Sequence, residues 1–286
     1  MAVLSVQSHV AYGHAGNASA VFPLQRMGYE VWPVHTVMFS NHTGHQRWRG
    51  PVFEPDVVAD VVQGIEERGV LKQCQALLSG YLGAPAMGEV ILEALERVKA
   101  ANPAAIYCCD PVMGDIDRGV FVRDGIPDFF RDRVVQCADI LTPNHFELEL
   151  LTGIAVNTVE SALTAVRILQ DQGVQNVLVT SLMRSDAPSG VIEMLVVGPG
   201  EAWLVTTPHL DFDWPVTGSG DATAAVFLGK YLQTGSLRQA LEHTAGAIFW
   251  LFQTTWRQQS RELKLIQAQD AYISPPQAFV AESALP

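Results

Sequence analysis

The 286 residues carry 18 Lys and Arg against 30 Asp and Glu, a formal net charge of -12, with no basic cluster of the kind that binds a phosphate backbone, so nucleic acid is excluded as a partner. With 48% hydrophobic and 17% charged residues and no linker, repeat or low-complexity tract, the chain has the apolar material for one large domain over residues 1–286. Its four cysteines, Cys74, Cys108, Cys109 and Cys137, form no C-x-x-C pair and are too sparse for a disulfide scaffold, which points to reduced thiols and a cytoplasmic location.

The first apolar run, AVLSVQ, has the length of a strand, lacks a basic leader and reaches polar QSH too soon for a signal peptide. A loop containing GHAGN leads to a second strand, YEVWPVHTV. Residues 56–68 place Val57, Val58, Val61, Val62 and Ile65 on one face before Gly69, which predicts an amphipathic helix. QALLSGY is a third strand, and residues 85–101 form a helix that starts at Pro85 and stops before Asn102-Pro103. AAIYCCDP and ADILTP are strands, residues 158–172 a helix between Thr158 and Gly173, and VQNVLVTS another strand. VIEMLVVG and EAWLVTT are joined by Gly-Pro-Gly, the pattern of an antiparallel hairpin at a sheet edge. Two helices follow, SGDATAAVFLGKYLQ and SLRQALEHTAGAIFWLFQTTW, the second with an apolar stretch too short to span a bilayer. Residues 275–286 read as a C-terminal tail. Alternating strands and helices imply an α/β/α sandwich around a mainly parallel sheet, because parallel strands need crossovers. Ligands of such folds lie beyond the carboxyl ends of the strands, which nominates loops 8–17, 80–84, 110–125, 142–147, 180–190 and 214–221.

Those loops contain no Walker phosphate loop, no G-x-G-x-x-G after a strand and no G-x-S-x-G. They do contain WPVTGSGDATAA, where Gly218 and Gly220 flank Ser219 at a helix start, so backbone amides can converge on an anion. Asp221 beside them is either a helix cap or a group with a separate task. Asp110 and Glu147 end two strands and could hold magnesium beside phosphates. The local alternative is that Asn144 and Glu147 are the N-cap and its N3 partner, which spacing alone favours, and that Asp110-Pro111 is a turn. The eight histidines have no zinc spacing, and His14 and His42 lie in candidate loops where solvation is as natural as ligand contact. Tyr81 can stack on a ring or simply pack.

QSHVAYGHAGN at 7–17, FSNHTG at 39–44, LSGYLG at 78–83, CDPVMGD at 109–115, TPNHFELELLTG at 142–153 and GSGD at 218–221 together resemble the pyridoxal kinases of the ribokinase-like superfamily, from near residue 3 to about 270. GSGD alone marks the superfamily, whereas GHAGN with FSNHTG is specific to this kinase group. The resemblance implies a ribokinase-like α/β/α sandwich that phosphorylates the 5′-hydroxyl of pyridoxal with ATP, giving pyridoxal 5′-phosphate in vitamin B6 salvage. By it, the backbone of Gly218, Ser219 and Gly220 is an anion hole and Asp221 the general base. Ser8 meets the pyridine nitrogen, Thr43 with His42 and Gly44 the ring's oxygen substituents, and Tyr81 the ring. Asp110 and Glu147 organise Mg2+ and the phosphates; Thr142, Thr180 and Ser181 line the phosphates; Thr207, Pro208, His209 and Leu210 border the adenine. Residues 115–125 form a flap, whose Asp115 and Phe121 contact the ATP. A monovalent cation such as K+ and a homodimer are further implied. Three positions depart from relatives: Phe121 for a tyrosine, Thr180 for a lysine, and Gly44 for a glutamine. The rival expectations are a hydroxymethylpyrimidine kinase, and a non-catalytic carrier of pyridoxal or its phosphate.

Overall fold

The computed structural model describes residues 1–285. In chain order its elements are β1 (Ala2–Tyr12), α1 (Asn17–Arg26), β2 (Glu30–Asn41), α2 (Pro55–Glu67), β3 (Cys74–Ser79), α3 (Pro85–Ala101), β4 (Ile106–Cys109), β5 (Gly114–Asp115), β6 (Gly119–Val120), α4 (Ile126–Phe129), β7 (Ile140–Leu141), α5 (His145–Thr152), α6 (Val159–Asp171), β8 (Asn176–Leu182), β9 (Val191–Gly198), β10 (Glu201–Pro208), α7 (Ser219–Thr234), α8 (Leu237–Arg257) and β11 (Glu282–Ser283). Nine strands join one sheet in the order β11-β10-β9-β8-β7-β4-β3-β1-β2. The pairs from β2 to β8 are parallel, and β8-β9, β9-β10 and β10-β11 are antiparallel. The two short strands β5 and β6 form a separate antiparallel hairpin.

Successive strand residues face opposite sides of a sheet, and here both sides are apolar, as helices on both faces require. Leu4, Leu77, Cys109, Val177 and Val179 join one core with α2, α3, α5 and α6. Their neighbours Val3, Leu78, Cys108 and Leu178 join a second core with α1, α7 and α8. This alternation within single strands is what makes the three-layer sandwich.

The expected strands and the five expected helices all form, within a few residues at their ends. Sequence reading gives no element to residues 17–26, because Pro23 interrupts the pattern and removes a helical donor. α1 forms there nonetheless, since Ala20 and Leu24 are fully buried against the α7 side. The β9-β10 hairpin is present but is not the outermost layer. β11 pairs Ser283 with Trp203 and Glu282 with Leu204, and Ala284 N–H bonds Ala202 O at 2.9 Å. The segment read as a tail is therefore docked as far as it is described: Ala281 is buried and Phe279 packs its ring 5.1 Å from that of Phe249. Pro286 lies outside the described residues. Cys74, Cys108 and Cys109 are buried free thiols and Cys137 an exposed one. No helix among the described residues is long and apolar enough to cross a membrane.

Candidate active site

Parallel strands deliver their carboxyl ends to one side of the molecule. There β1, β2, β3, β4, β7 and β8 and the start of α7 surround a cavity of about 910 Å³. All six loops nominated from the sequence contribute to its wall.

The start of α7 sits at its centre. Gly218 has φ +83°, and a Cβ there would lie 1.8 Å from His14 O, so only glycine fits both the dihedral and the space. Ser19 Oγ donates to Gly218 O at 2.7 Å and fixes the turn. The first helical bond is Ala222 N to Gly218 O at 3.1 Å, which leaves the amides of Ser219 and Gly220 free of intrahelical partners, the usual anion-binding end of a helix. Asp221 is partly buried, and its Oδ2 accepts from Gly16 N at 2.8 Å, tying the first loop to the last helix pair. Burial pushes its carboxyl up to about 6, even against that amide.

Two more carboxylates stand beside it. Asp110 follows β4 and is 6% exposed; burial, then Glu147 and Asp221 nearby, holds it well above the ordinary carboxylate range. Glu147, 3% exposed, takes the cap role that spacing favours, and adds a hairpin contact that spacing does not announce. Its Oε2 accepts from Asn144 N at 2.9 Å while Asn144 Oδ1 accepts from Glu147 N at 2.9 Å, a complete capping box for α5. Its Oε1 meanwhile accepts from Met113 N at 2.8 Å and Gly114 N at 3.4 Å, anchoring the root of the β5-β6 hairpin. Burial outweighs these donors and pushes Glu147 up to about 7.

One end of the cavity is walled by Ser8, Val37, Phe39, His42, Thr43 and Tyr81. The pairing of β1 with β2 slips between Gln7 and His9, so that two β2 residues stand opposite Ser8, the kind of irregularity that re-aims a side chain. His42 Nδ1 accepts from Gly44 N at 3.1 Å, so the neutral ring carries its proton on Nε2. Burial and the nearby Arg118 lower its pKa and keep it neutral. His45 Nε2 lies 2.6 Å from Glu262 Oε1, and Glu262 Oε2 accepts from His14 N at 3.3 Å, so one residue after α8 ties the two loops of this end together. The other end is apolar and aromatic, with Ile192, Met194, Phe212, Ile248, Phe249 and Phe252. The rings of Phe212 and Phe252 meet edge to face, centroids 5.8 Å apart.

Of the residues nominated from sequence, the cavity wall contains Ser8, His42, Thr43, Gly44, Tyr81, Asp110, Asp115, Phe121, Glu147, Thr180, Ser181, Thr207, Pro208, His209, Leu210, Gly218, Ser219, Gly220 and Asp221. Thr142 is not among them: it is buried behind the wall at 3% exposure, its hydroxyl unpaired. Nor does His14 reach the cavity, because its Nδ1 binds Ala18 O at 3.1 Å. Sequence reading missed Asn144 as a brace for the flap, whose Nδ2 donates to Gly114 O at 2.8 Å, and Arg118 in the wall. It also missed the α8 contribution of Ile248, Phe249 and Phe252, which carries no local signal because apolar helix positions read as core.

The family model described as phosphomethylpyrimidine kinase matches residues 34–257, so the class is that of the small-molecule kinases with a ribokinase-like fold. Pyridoxal kinase PdxY of Rubrobacter xylanophilus is 54% identical over 97% of this chain and 95% of its own length, and that of Deinococcus radiodurans 51% over 98% and 95%. The pyridoxal kinase of Leishmania donovani, solved in complex with ADP and pyridoxamine, superposes with a TM-score of 0.92 at 26% identity, covering 100% of this chain and 99% of that one. The chain belongs to the pyridoxal kinase family.

Proposed function

We propose that the chain transfers the γ-phosphoryl group of ATP to the 5′-hydroxyl of pyridoxal. The observation that carries this reading is the position of Asp221, next to the free amides of Ser219 and Gly220 and between a polar end and an aromatic end of one cavity. An alcohol held at the Ser8, His42 and Tyr81 end points its hydroxyl toward Asp221, and a nucleotide with its base among Phe212, Phe249 and Phe252 points its triphosphate to the same place. Asp221 takes the hydroxyl proton as the oxygen attacks. The new O–P bond forms while the bond from the γ-phosphorus to the bridging oxygen breaks, and ADP leaves. The amides at the α7 start hold the charge that spreads over the transferred group. His42, neutral with Nε2–H free, donates to a ring oxygen of the acceptor. The flap from 115 to 125 excludes water, which matters because water would compete as acceptor.

The donor set fits magnesium. Asp110 is a buried carboxylate with two acidic neighbours and no cation among the causes that set its pKa, an arrangement a divalent ion relieves. Magnesium takes one or two carboxylates and keeps waters and phosphate oxygens. Asp110 would contact it, and Glu147, with both oxygens already on backbone amides, would act through water. When bound, the ion would neutralise charge on the triphosphate.

A coupled assay of ADP release with pyridoxal, pyridoxine and hydroxymethylpyrimidine tests acceptor and reaction together. Pyridoxal is expected to give the highest kcat/KM, and Asp221→Asn to lower kcat by about 10²–10⁴ with nucleotide affinity kept. Preference for hydroxymethylpyrimidine would make the chain a kinase for that ring. Tight vitamer binding without ADP formation would make it a carrier.

A further inference from the structure

A site that handles ATP must offset the charge of a triphosphate, and the wall of this cavity is set against it. Among the described residues the wall carries seven carboxylate side chains and one Lys or Arg side chain, that of Arg118. Thr180 and Ser181, at the end of β8, bring hydroxyls but no charge. The other flap arginine, Arg123, does not line the cavity. A magnesium ion at Asp110 and the amides of α7 would cover part of the charge, and neither is a fixed full positive charge of the protein.

Arg118 is placed to supply that charge. It lies in the turn of the β5-β6 hairpin, between Asp115 and Gly119. The root of the hairpin is bolted to the site by Gly114, whose N–H and C=O bond Glu147 and Asn144. The tip is free of such ties, and the Arg118 side chain is 43% exposed. Its guanidinium lies 4.5 Å from the centroid of Phe121 and close enough to His42 to lower that ring's pKa. The tip is thus part of the cavity wall, beside Phe121 and on the His42 side. In this structure the guanidinium is engaged by Asp115: Nε donates to Oδ2 at 2.7 Å, a terminal nitrogen donates to the same oxygen, and the Arg118 amide donates to Oδ1 at 2.8 Å. A solvent-exposed ion pair between residues three apart is weak and easily exchanged. A phosphate is the better partner for the same planar fork, because it is more highly charged and accepts two parallel bonds in a closed site.

We propose that Arg118 exchanges Asp115 for the triphosphate when ATP binds, and donates to the oxygens of the transferred phosphoryl group as an arginine finger in cis. Asp115 is then a holder that keeps the guanidinium over the cavity while the site is empty. The role deepens the kinase reading and rests on it.

The test compares Arg118→Gln, Arg118→Lys and Asp115→Asn with the wild type, measuring kcat and KM for ATP and the affinities for ADP and pyridoxal by calorimetry. Arg118→Gln is expected to lower kcat by about 10²–10³ while affinity for ADP, which lacks the γ-phosphate, stays within about threefold. Arg118→Lys should recover part of the loss, since it restores charge without the fork. Asp115→Asn should lower kcat less than about tenfold, well short of the Arg118→Gln loss, because Asp115 only holds the finger before ATP arrives. Three results overturn the proposal: Arg118→Gln with kcat near wild type; losses of ADP and pyridoxal affinity as deep as the loss of kcat, which would mean the flap has collapsed; or an Asp115→Asn defect equal to that of Arg118→Gln, which would mean the pair itself is what the site needs. A wild-type chain that fails to phosphorylate any vitamer sinks the kinase reading instead, so the two failures are distinguishable.

Discussion

Asp221 sits where its charge is useful and its burial is costly. A carboxyl raised to about 6 binds its proton more tightly in the folded state than in the unfolded one. Stability therefore falls as pH rises from the ordinary carboxylate range through about 6, and above that the full penalty, about 3 kcal/mol, is in place. Asn in its place can still accept from Gly16 N and carries no charge to desolvate. Asp221→Asn is thus expected to melt higher at pH 7.5, by on the order of 5 °C, and the gain should vanish near pH 4. Melting curves in a chelator at both pH values check this, and an equal shift at both would refute the electrostatic cause. The same variant should lose turnover, so stability and activity pull apart at one atom. Much of this residue-scale picture was legible: GSGD at a helix start, with an acid beside it, follows from the preference of anions for helix amides. Asn144 and Glu147 were legible as a cap but not as a brace, because nothing in NHFE announces that Glu147 Oε1 reaches Met113 and Gly114, 34 and 33 residues away.

Caps distinguish elements that only hold the fold from one that also holds the site. α5 and α6 both begin with a capping box, Asn144 with Glu147 and Thr158 with Ser161. Removing either cap by Asn144→Ala or Thr158→Ala is expected to cost about 1 kcal/mol. Only Asn144→Ala also frees the Gly114 carbonyl and the flap root, so only it should raise KM for ATP. Denaturant unfolding with steady-state kinetics on both variants checks the split; unchanged kinetics in Asn144→Ala would show that the flap root is held by Glu147 alone. At this scale α2, α3 and α6 were readable from apolar periodicity because each presents one stripe to a sheet. α1 was not, since its Pro23 contradicts local preference and burial of Ala20 and Leu24 overrides it.

At the scale of the whole molecule, the acceptor end depends on a strut from the far end of the chain. Glu262 is 217 residues from His45 and 248 from His14, and its side chain is only 11% exposed. Glu262→Ala is expected to raise KM for pyridoxal by about tenfold through misplaced loops and to leave KM for ATP unchanged, since the aromatic end does not use it. An unchanged pyridoxal KM would mean the two loops hold themselves. By itself the sequence determined the layered α/β architecture, the loops that face the ligand and the GSGD turn, because strand and helix periods, breakers and caps act over a few residues. Only the tertiary structure decided that Thr142 and His14 stay out of the cavity lining, that Arg118 is the one Lys or Arg in its wall among the described residues and that residues 279–285 dock on β10 and α8. Those outcomes depend on which distant surfaces meet, and that is settled by burial summed over the whole sheet rather than by any local pattern.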